Sequence, residues 1–421
     1  METTDPTSVG VSAERLERLD HWLEAQITSE RLAGCSLLLG RHGQIVYFNT
    51  IGKAELEPEK PFQEDTIVRI FSMTKPITTV AAMMLYEENH FQLDDPVSKY
   101  IPGFRNMTVW QGEGIEKTLP AEQPITVRHL MTHTSGLTYG FMQANPVDAR
   151  YRELKIGQPS DAVDLEEWVD RLATVPLICQ PGSQWNYSVS TDVLGRLVEI
   201  WSGESLAEFF EKHIFQPLKM VDTGFHVAEG KQERFAALFT PVWGASLSDV
   251  GRTTVPDTNE KRGGFKLEEP AGNSSYFKPT NVYMGGGGLT STISDYARFC
   301  QMLLNRGELD GKRLLGRKIV DYMMTNHLPD NKDMAAMGQP VWSETTYEGI
   351  GFGLGGAVVL DPVKAQIVTS AGEYHWGGAA STFFWLDPAE ELYVVFLTQL
   401  VPSSSYPIRR ELRARVYQAL T

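Results

Sequence analysis

The chain has 421 residues, 42% of them hydrophobic and 22% charged, with a formal net charge of −15. This is the composition of a globular protein with one large domain or two intergrown ones, and its acidic balance argues against nucleic acid and anionic membrane surfaces as partners. No run approaches the roughly 18 apolar residues of a membrane span, the opening Met1-Glu2-Thr3-Thr4-Asp5-Pro6 lacks the basic and apolar regions of a signal peptide, and the scattered Cys35, Cys179 and Cys300 form no disulfide framework, so a cytoplasmic home is expected.

Leu16, Leu19, Leu23 and Ile27 predict an amphipathic helix within residues 11–30. Two β-rich runs, 35–40 and 44–48, joined by Arg41-His42-Gly43, suggest a hairpin. Residues 66–70 form a short β-rich approach to Phe71-Ser72-Met73-Thr74-Lys75. Beyond it, Ile77, Val80, Ala81, Met84 and Leu85 mark the apolar stripe of a helix reaching about residue 89. In the dense stretch 125–137, Thr126 can cap a short helix that stops near Gly136. Further helices are expected over 164–172, 191–201 and 205–213, and the turn Gln180-Pro181-Gly182-Ser183 introduces Trp185-Asn186-Tyr187-Ser188. Residues 227–279 lack periodicity and read as long loops. After Gly285 to Gly288, Thr292 with Asp295 signals the start of another helix. The last quarter reads as strands at 351–360, 365–369, 381–386 and 392–397, separated by short turns that imply antiparallel pairing, and then a helix over 407–420. The expected class is α+β. Residues 1–105 and 285–421 would form a core domain with an antiparallel sheet flanked by helices. Residues 106–284 would form a mostly helical domain with long loops, and a site would lie at the junction.

Ser72 and Lys75 lie three residues apart and can meet on one helix face. A cation in the first turn opposes the helix dipole, so Lys75 is poorly placed for stability alone. A lysine of depressed pKa could take the serine's proton and leave a nucleophile for a carbonyl carbon. Ser275 and Lys278 show the same spacing, but in an irregular region, and context favours Ser72. Tyr187, between a Pro-Gly turn and a helix, is a second candidate, because a tyrosine near a lysine can act as general base. In His375-Trp376-Gly377-Gly378-Ala379 the glycine pair lets the backbone approach a ligand, and an amide there could join that of Ser72 as an oxyanion hole. His129 and His133 have zinc-ligand spacing but no adjacent Glu and no obvious third ligand, which favours a structural pair. No G-x-S-x-G elbow occurs, and Gly285 to Gly288 are not followed by the Lys of a P-loop.

Together these motifs resemble the serine hydrolases with the class C β-lactamase fold, most closely the family VIII carboxylesterases and the related fungal statin acyltransferase. S-x-x-K is a documented signature of β-lactamases and penicillin-binding proteins. The resemblance runs over most of the chain. Its anchors are Phe71 to Lys75, 125–137 with His133-Thr134-Ser135-Gly136-Leu137, Pro181-Gly182 before Trp185 to Ser188, Gly286-Gly287-Gly288-Leu289, and Trp376-Gly377-Gly378. It implies a β-lactamase/transpeptidase-like fold, with Ser72 as the acylated nucleophile and Lys75 with Tyr187 as the base system. The N–H groups of Ser72 and Ala379 would be the oxyanion donors, with Gly378 as the neighbouring possibility. Trp376, Gly377, Gly378, Tyr139 and Phe141 would contact substrate, and Trp243 would help line an apolar acyl pocket. Where penicillin-recognising members carry Lys-Thr-Gly this chain has His375-Trp376-Gly377, and Val189 stands where the lactamases have Asn two residues after the tyrosine. Both departures favour neutral esters over β-lactams. The implied activity is hydrolysis of short- to medium-chain carboxylic esters, a small-molecule substrate, without metal or cofactor. Acyl transfer, weak β-lactamase activity, a D-amino-acid peptidase and a non-catalytic binding module are the alternatives.

Overall fold

The computed structural model describes residues 1–157, 160–243, 263–338, 347–403 and 405–421. Alternation of large apolar residues builds its main sheet. The strands are β1 (Gly34–Arg41), β2 (Gln44–Glu55), β3 (Lys60–Pro61), β4 (Ile350–Phe352), β5 (Ala357–Val359), β6 (Tyr374–Gly377), β7 (Phe383–Asp387) and β8 (Leu392–Thr398). They lie in the order β4-β5-β6-β7-β8-β1-β2-β3, antiparallel throughout. Beginning and end of the chain meet where β1 pairs with β8, from Cys35 opposite Thr398 to Arg41 opposite Leu392. Leu37, Leu39, Phe383, Trp385, Val394 and Phe396 face one side, while Leu38, Phe384, Leu386 and Val395 face the other. A sheet buried on both faces needs helices over both.

On the first face lie α1 (Ala13–Thr28), through Leu16, Leu19, Trp22 and Leu23, and the last helix, through Ile408, Leu412 and Val416. The other face is covered by α2 (Thr74–Glu87) and the helix Ile293–Leu304, with α3 (Val127–Met131) and α4 (Ser190–Ser202) beyond; Ile293–Leu304 is α5 and Ile408–Tyr417 is α6. The apolar core on this side runs without a break from Leu38 of the sheet through Ile77 and Val80 of α2 to Leu194 and Leu197 of α4. Among the described residues, no helix is long and apolar enough to cross a membrane.

Several local expectations need correction. Phe71–Met73 is a 3-10 turn, and the regular helix starts at Thr74. The helix capped by Thr126 ends at Met131, not near Gly136, because His133 takes a left-handed φ of 55°. Residues 351–360 are two strands, not one: β4 and β5 form a hairpin whose connection includes Gly355 at φ 78°. Residues 365–369 are not a strand. Asp361 caps a helical turn, Pro362–Ala365, and Gln366 ends it in the left-handed region. An Asp-Pro helix start outweighed the β-branched residues that follow. Of 227–279, residues 244–262 lie outside the described ones; the remainder holds the strand pair Leu238–Pro241 and Phe265–Glu269.

Candidate active site

The turn bearing Ser72 is held from several sides. Just before it, Val68–Arg69 pairs with Thr290–Ser291. The buried Arg69 guanidinium donates to Glu269 at 2.7 Å and to the Ala236 carbonyl at 2.8 Å. Ile70 N–H donates to the Leu289 carbonyl at 3.2 Å, and the Tyr296 hydroxyl donates to the Met73 carbonyl at 2.9 Å. Within this frame Phe71 adopts φ 43°, a conformation costly for a bulky residue, and it presents Ser72, half-buried, at the head of α2.

Lys75, one turn on, is fully buried. Its Nζ lies 3.2 Å from Ser72 Oγ, 3.0 Å from the Tyr139 hydroxyl and 2.6 Å from the Gly286 carbonyl, and 4.6 Å from the centre of the Tyr187 ring. Burial lowers its pKa to about 7, against the pull of Asp192 in the opposite direction. The three contacts then acquire distinct roles. A neutral amine has two protons and one lone pair. The Gly286 carbonyl can only accept, and Tyr139 can accept the second proton, which leaves the lone pair for the Ser72 hydroxyl.

Tyr187 also bonds to Ser72, and the Trp376 indole N–H reaches its hydroxyl at 3.4 Å. Burial pushes the Tyr187 phenol well up, despite those two hydrogen bonds, so the resting group is protonated. The segment His133 to Leu137 fixes this tyrosine. Asn186 N–H donates to the His133 carbonyl at 2.8 Å, and Asn186 Nδ2 to that of Leu137 at 2.7 Å. His133 Nδ1 meets Ser188 Oγ at 3.1 Å, and Ser190 Oγ lies 2.7 Å from both Ser188 and Ser135 Oγ. His129 accepts the Thr126 N–H in a capping box. Both histidines thus have structural partners, and among the described residues no three His, Cys, Asp or Glu side chains gather as metal ligands.

A cavity opens beside Ser72, lined by Tyr187, Tyr347 and the strand end His375 to Ala379, with Ser403 and Arg409. Gly378 N–H donates to the Thr382 carbonyl at 2.8 Å, so it is not free for an oxyanion. Ala379 N–H meets no acceptor among the described residues and lies at the cavity wall. Ser72 N–H lies in the first turn of a helix, where amides have no intrahelical partner. Tyr139 and Phe141, expected at the substrate, do not line this cavity. Tyr139 turns its hydroxyl to Lys75, and Phe141 stacks on the Tyr139 ring at 4.5 Å. Trp243 stands away from it, edge-on to Tyr406. A larger surface groove runs past Phe215, Phe225 and His226, but none of Ser72, Lys75 and Tyr187 borders it.

Residue patterns alone missed three participants: the Tyr139 hydroxyl, the Gly286 carbonyl and Asp192. Asp192 is buried in the first turn of α4 and accepts Gly286 N–H at 2.7 Å. Its signal was faint, a carboxylate five residues after Tyr187 in the first turn of a helix that also carries Arg196 and Glu199.

Comparison with known proteins gives the same direction. The family model described as Beta-lactamase matches residues 19–418. Esterase EstB of Burkholderia gladioli is 32% identical over 426 residues, 98% of this chain and 98% of that protein. A monacolin J acid methylbutanoyltransferase of Aspergillus terreus is 28% identical over 375 residues, 86% of this chain and 84% of its own. Among solved structures, EstCE1, described as a hydrolase with promiscuous acyltransferase activity, aligns with a TM-score of 0.75 at 28% identity, covering 96% of this chain and 98% of its own.

Proposed function

The chain belongs to the Beta-lactamase family and is a serine esterase within it, and on that premise we propose that it hydrolyses short- to medium-chain carboxylic esters through an acyl-enzyme on Ser72. The observation that carries the assignment is a buried lysine, its pKa lowered to about 7, within 3.2 Å of a half-buried serine hydroxyl. Neutral Lys75 takes the Ser72 proton as Oγ bonds to the ester carbonyl carbon. The resulting oxyanion is met by the N–H groups of Ser72 and Ala379, a kind of contact worth about 3 kcal/mol per donor. The tetrahedral adduct collapses and the alcohol leaves, protonated by the Lys75/Tyr187 pair. A water then attacks the acyl-enzyme, gives its proton to the same pair, and Ser72 departs with one. The phenol of Tyr187, kept protonated by burial, supplies the leaving-group side.

The confined, aromatic cavity and the absence of a lysine at His375-Trp376-Gly377 support small neutral acyl groups. Transfer to an alcohol instead of water is the second reading, supported by the likeness to EstCE1 and the methylbutanoyltransferase. The test is a panel of p-nitrophenyl esters from C2 to C12, with nitrocefin alongside and methanol as an optional acceptor, run on the wild type and Ser72→Ala. Short and medium esters should turn over, nitrocefin weakly or not at all, and Ser72→Ala should be inactive. Wild-type turnover by Ser72→Ala rejects the nucleophile. A methyl ester as main product would favour transfer.

A further inference from the structure

Gly286 is clamped between two buried, oppositely charged side chains. Its N–H donates to Asp192 Oδ1 at 2.7 Å, and its carbonyl accepts from Lys75 Nζ at 2.6 Å. The clamp leaves no room for another residue, since a Cβ at 286 would lie 2.6 Å from Asp192 Oδ2. Asp192 is not the N-cap of α4, which begins after Val189 without a side-chain cap, and it is 1% exposed. A carboxylate buried that far needs a compensating cation, and among the described residues the cation that acts on it is Lys75.

We propose that Asp192 is a positioning residue for the ester reaction: it pins Gly286, whose carbonyl directs one Nζ proton away from Ser72, and its charge sets how readily Lys75 gives up and regains a proton. This rests on the reading of Lys75 as general base. The groups facing Nζ are Ser72 on its own turn, Tyr139 and Tyr187 from the loops following α3 and preceding α4, His133 beyond them, and Asp192 from α4. His133 is held neutral by burial and by Lys75 itself, and both tyrosines stay protonated, again chiefly through burial. Asp192 is therefore the lone carboxylate in the set. It is raised to about 6 by burial, against the opposing effects of Lys75 and the Gly286 N–H, so the two groups titrate as a pair.

Asp192→Asn keeps an oxygen for Gly286 N–H and removes the charge. Without the carboxylate the lysine holds its proton less tightly, so the acid limb of the kcat/KM profile should move to lower pH, by about 1 unit or more. KM should change little, and kcat at the plateau should fall because the less basic amine takes the Ser72 proton less readily. A packing role alone would lower activity at every pH and leave the limb in place; that result overturns the proposal. Should Asp192→Asn not fold, the second arm reads the pair without catalysis. In the Ser72→Ala protein, the ¹³C carboxyl titration of Asp192 is compared with that in Ser72→Ala/Lys75→Met. Removing the ammonium should raise the Asp192 midpoint, and an unmoved midpoint rejects the coupling. Since this arm needs no turnover, it stands apart from the nucleophile test: an active Ser72→Ala would sink the reaction assignment, whereas an unmoved midpoint sinks only the role of Asp192.

Discussion

At the scale of single residues, the site turns on which group can hold a proton and when. Lys75 has its pKa lowered to about 7 by burial. The base form is the neutral amine, so kcat/KM should rise with pH through roughly that value. A profile flat from pH 5 to 9 would rule out Lys75 as the base. Tyr187→Phe removes the hydroxyl that bonds Ser72 and should lower kcat by about 10²-fold or more, as loss of a positioned acid–base group does. An unchanged kcat would leave Lys75 acting alone. That Ser72, Lys75 and Tyr187 lie together was expected from the sequence, the first two from their three-residue spacing and Tyr187 through the family resemblance. Asp192 and Gly286 were not, since a carboxylate in a first helical turn is commonplace and the two residues stand 94 apart in the chain.

Elements position these groups, and glycines mark where two of them touch. At Gly378 a Cβ would come within 2.3 Å of the Ile70 carbonyl, the backbone that leads into the Ser72 turn. Gly378→Ala should therefore separate the β6 end from that turn, with a loss of about 1–3 kcal/mol for the overpacking and a larger proportional loss of activity. Denaturant melts and turnover measured together check it; a stable, fully active variant would show the contact to be slack. Thr126→Ala, which removes the cap of α3, should cost about 1 kcal/mol and is read by the same melts. Such caps were legible: Thr126 and Thr292 each accept the N–H three residues on. The strand expected over 365–369 was misjudged because Asp361-Pro362 starts a helical turn first. The single strand expected over 351–360 ignored what Gly355 allows the chain to do.

For the whole molecule, the decisive feature is that distant segments close one sheet and one site. The expectation that both chain ends share an antiparallel sheet came from strand content, whereas the register of β1 on β8 had no local signal; it depends on the packing of α1, α5 and α6 over the two faces. A buried ion pair ties α6 to the sheet at β6. Arg413 of α6 donates to Glu373 Oε1 at 2.6 Å, and Glu373, just before β6, is completely buried. Burial alone would raise the Glu373 pKa, but Arg413 and His375 outweigh it and hold the group at about 2. The stability from this lowered pKa is thus present above the ordinary glutamate range and is lost as pH falls toward about 2. Arg413→Met should cost about 3–5 kcal/mol by removing the main counter-charge of a buried carboxylate, and equilibrium unfolding at pH 7 tests it; a loss under 1 kcal/mol would show that α6 is held by its apolar face alone. Through β6 the same closure carries Trp376 to Tyr187 and Ala379 to the cavity beside Ser72. The most direct measurement of the central claim is mass spectrometry after exposure to a p-nitrophenyl phosphonate. The account predicts stoichiometric p-nitrophenol release with the adduct on the peptide that contains Ser72, and no labelling of Ser72→Ala. Labelling of any other residue in step with loss of esterase activity, or full turnover by the unlabelled Ser72→Ala protein, would contradict it.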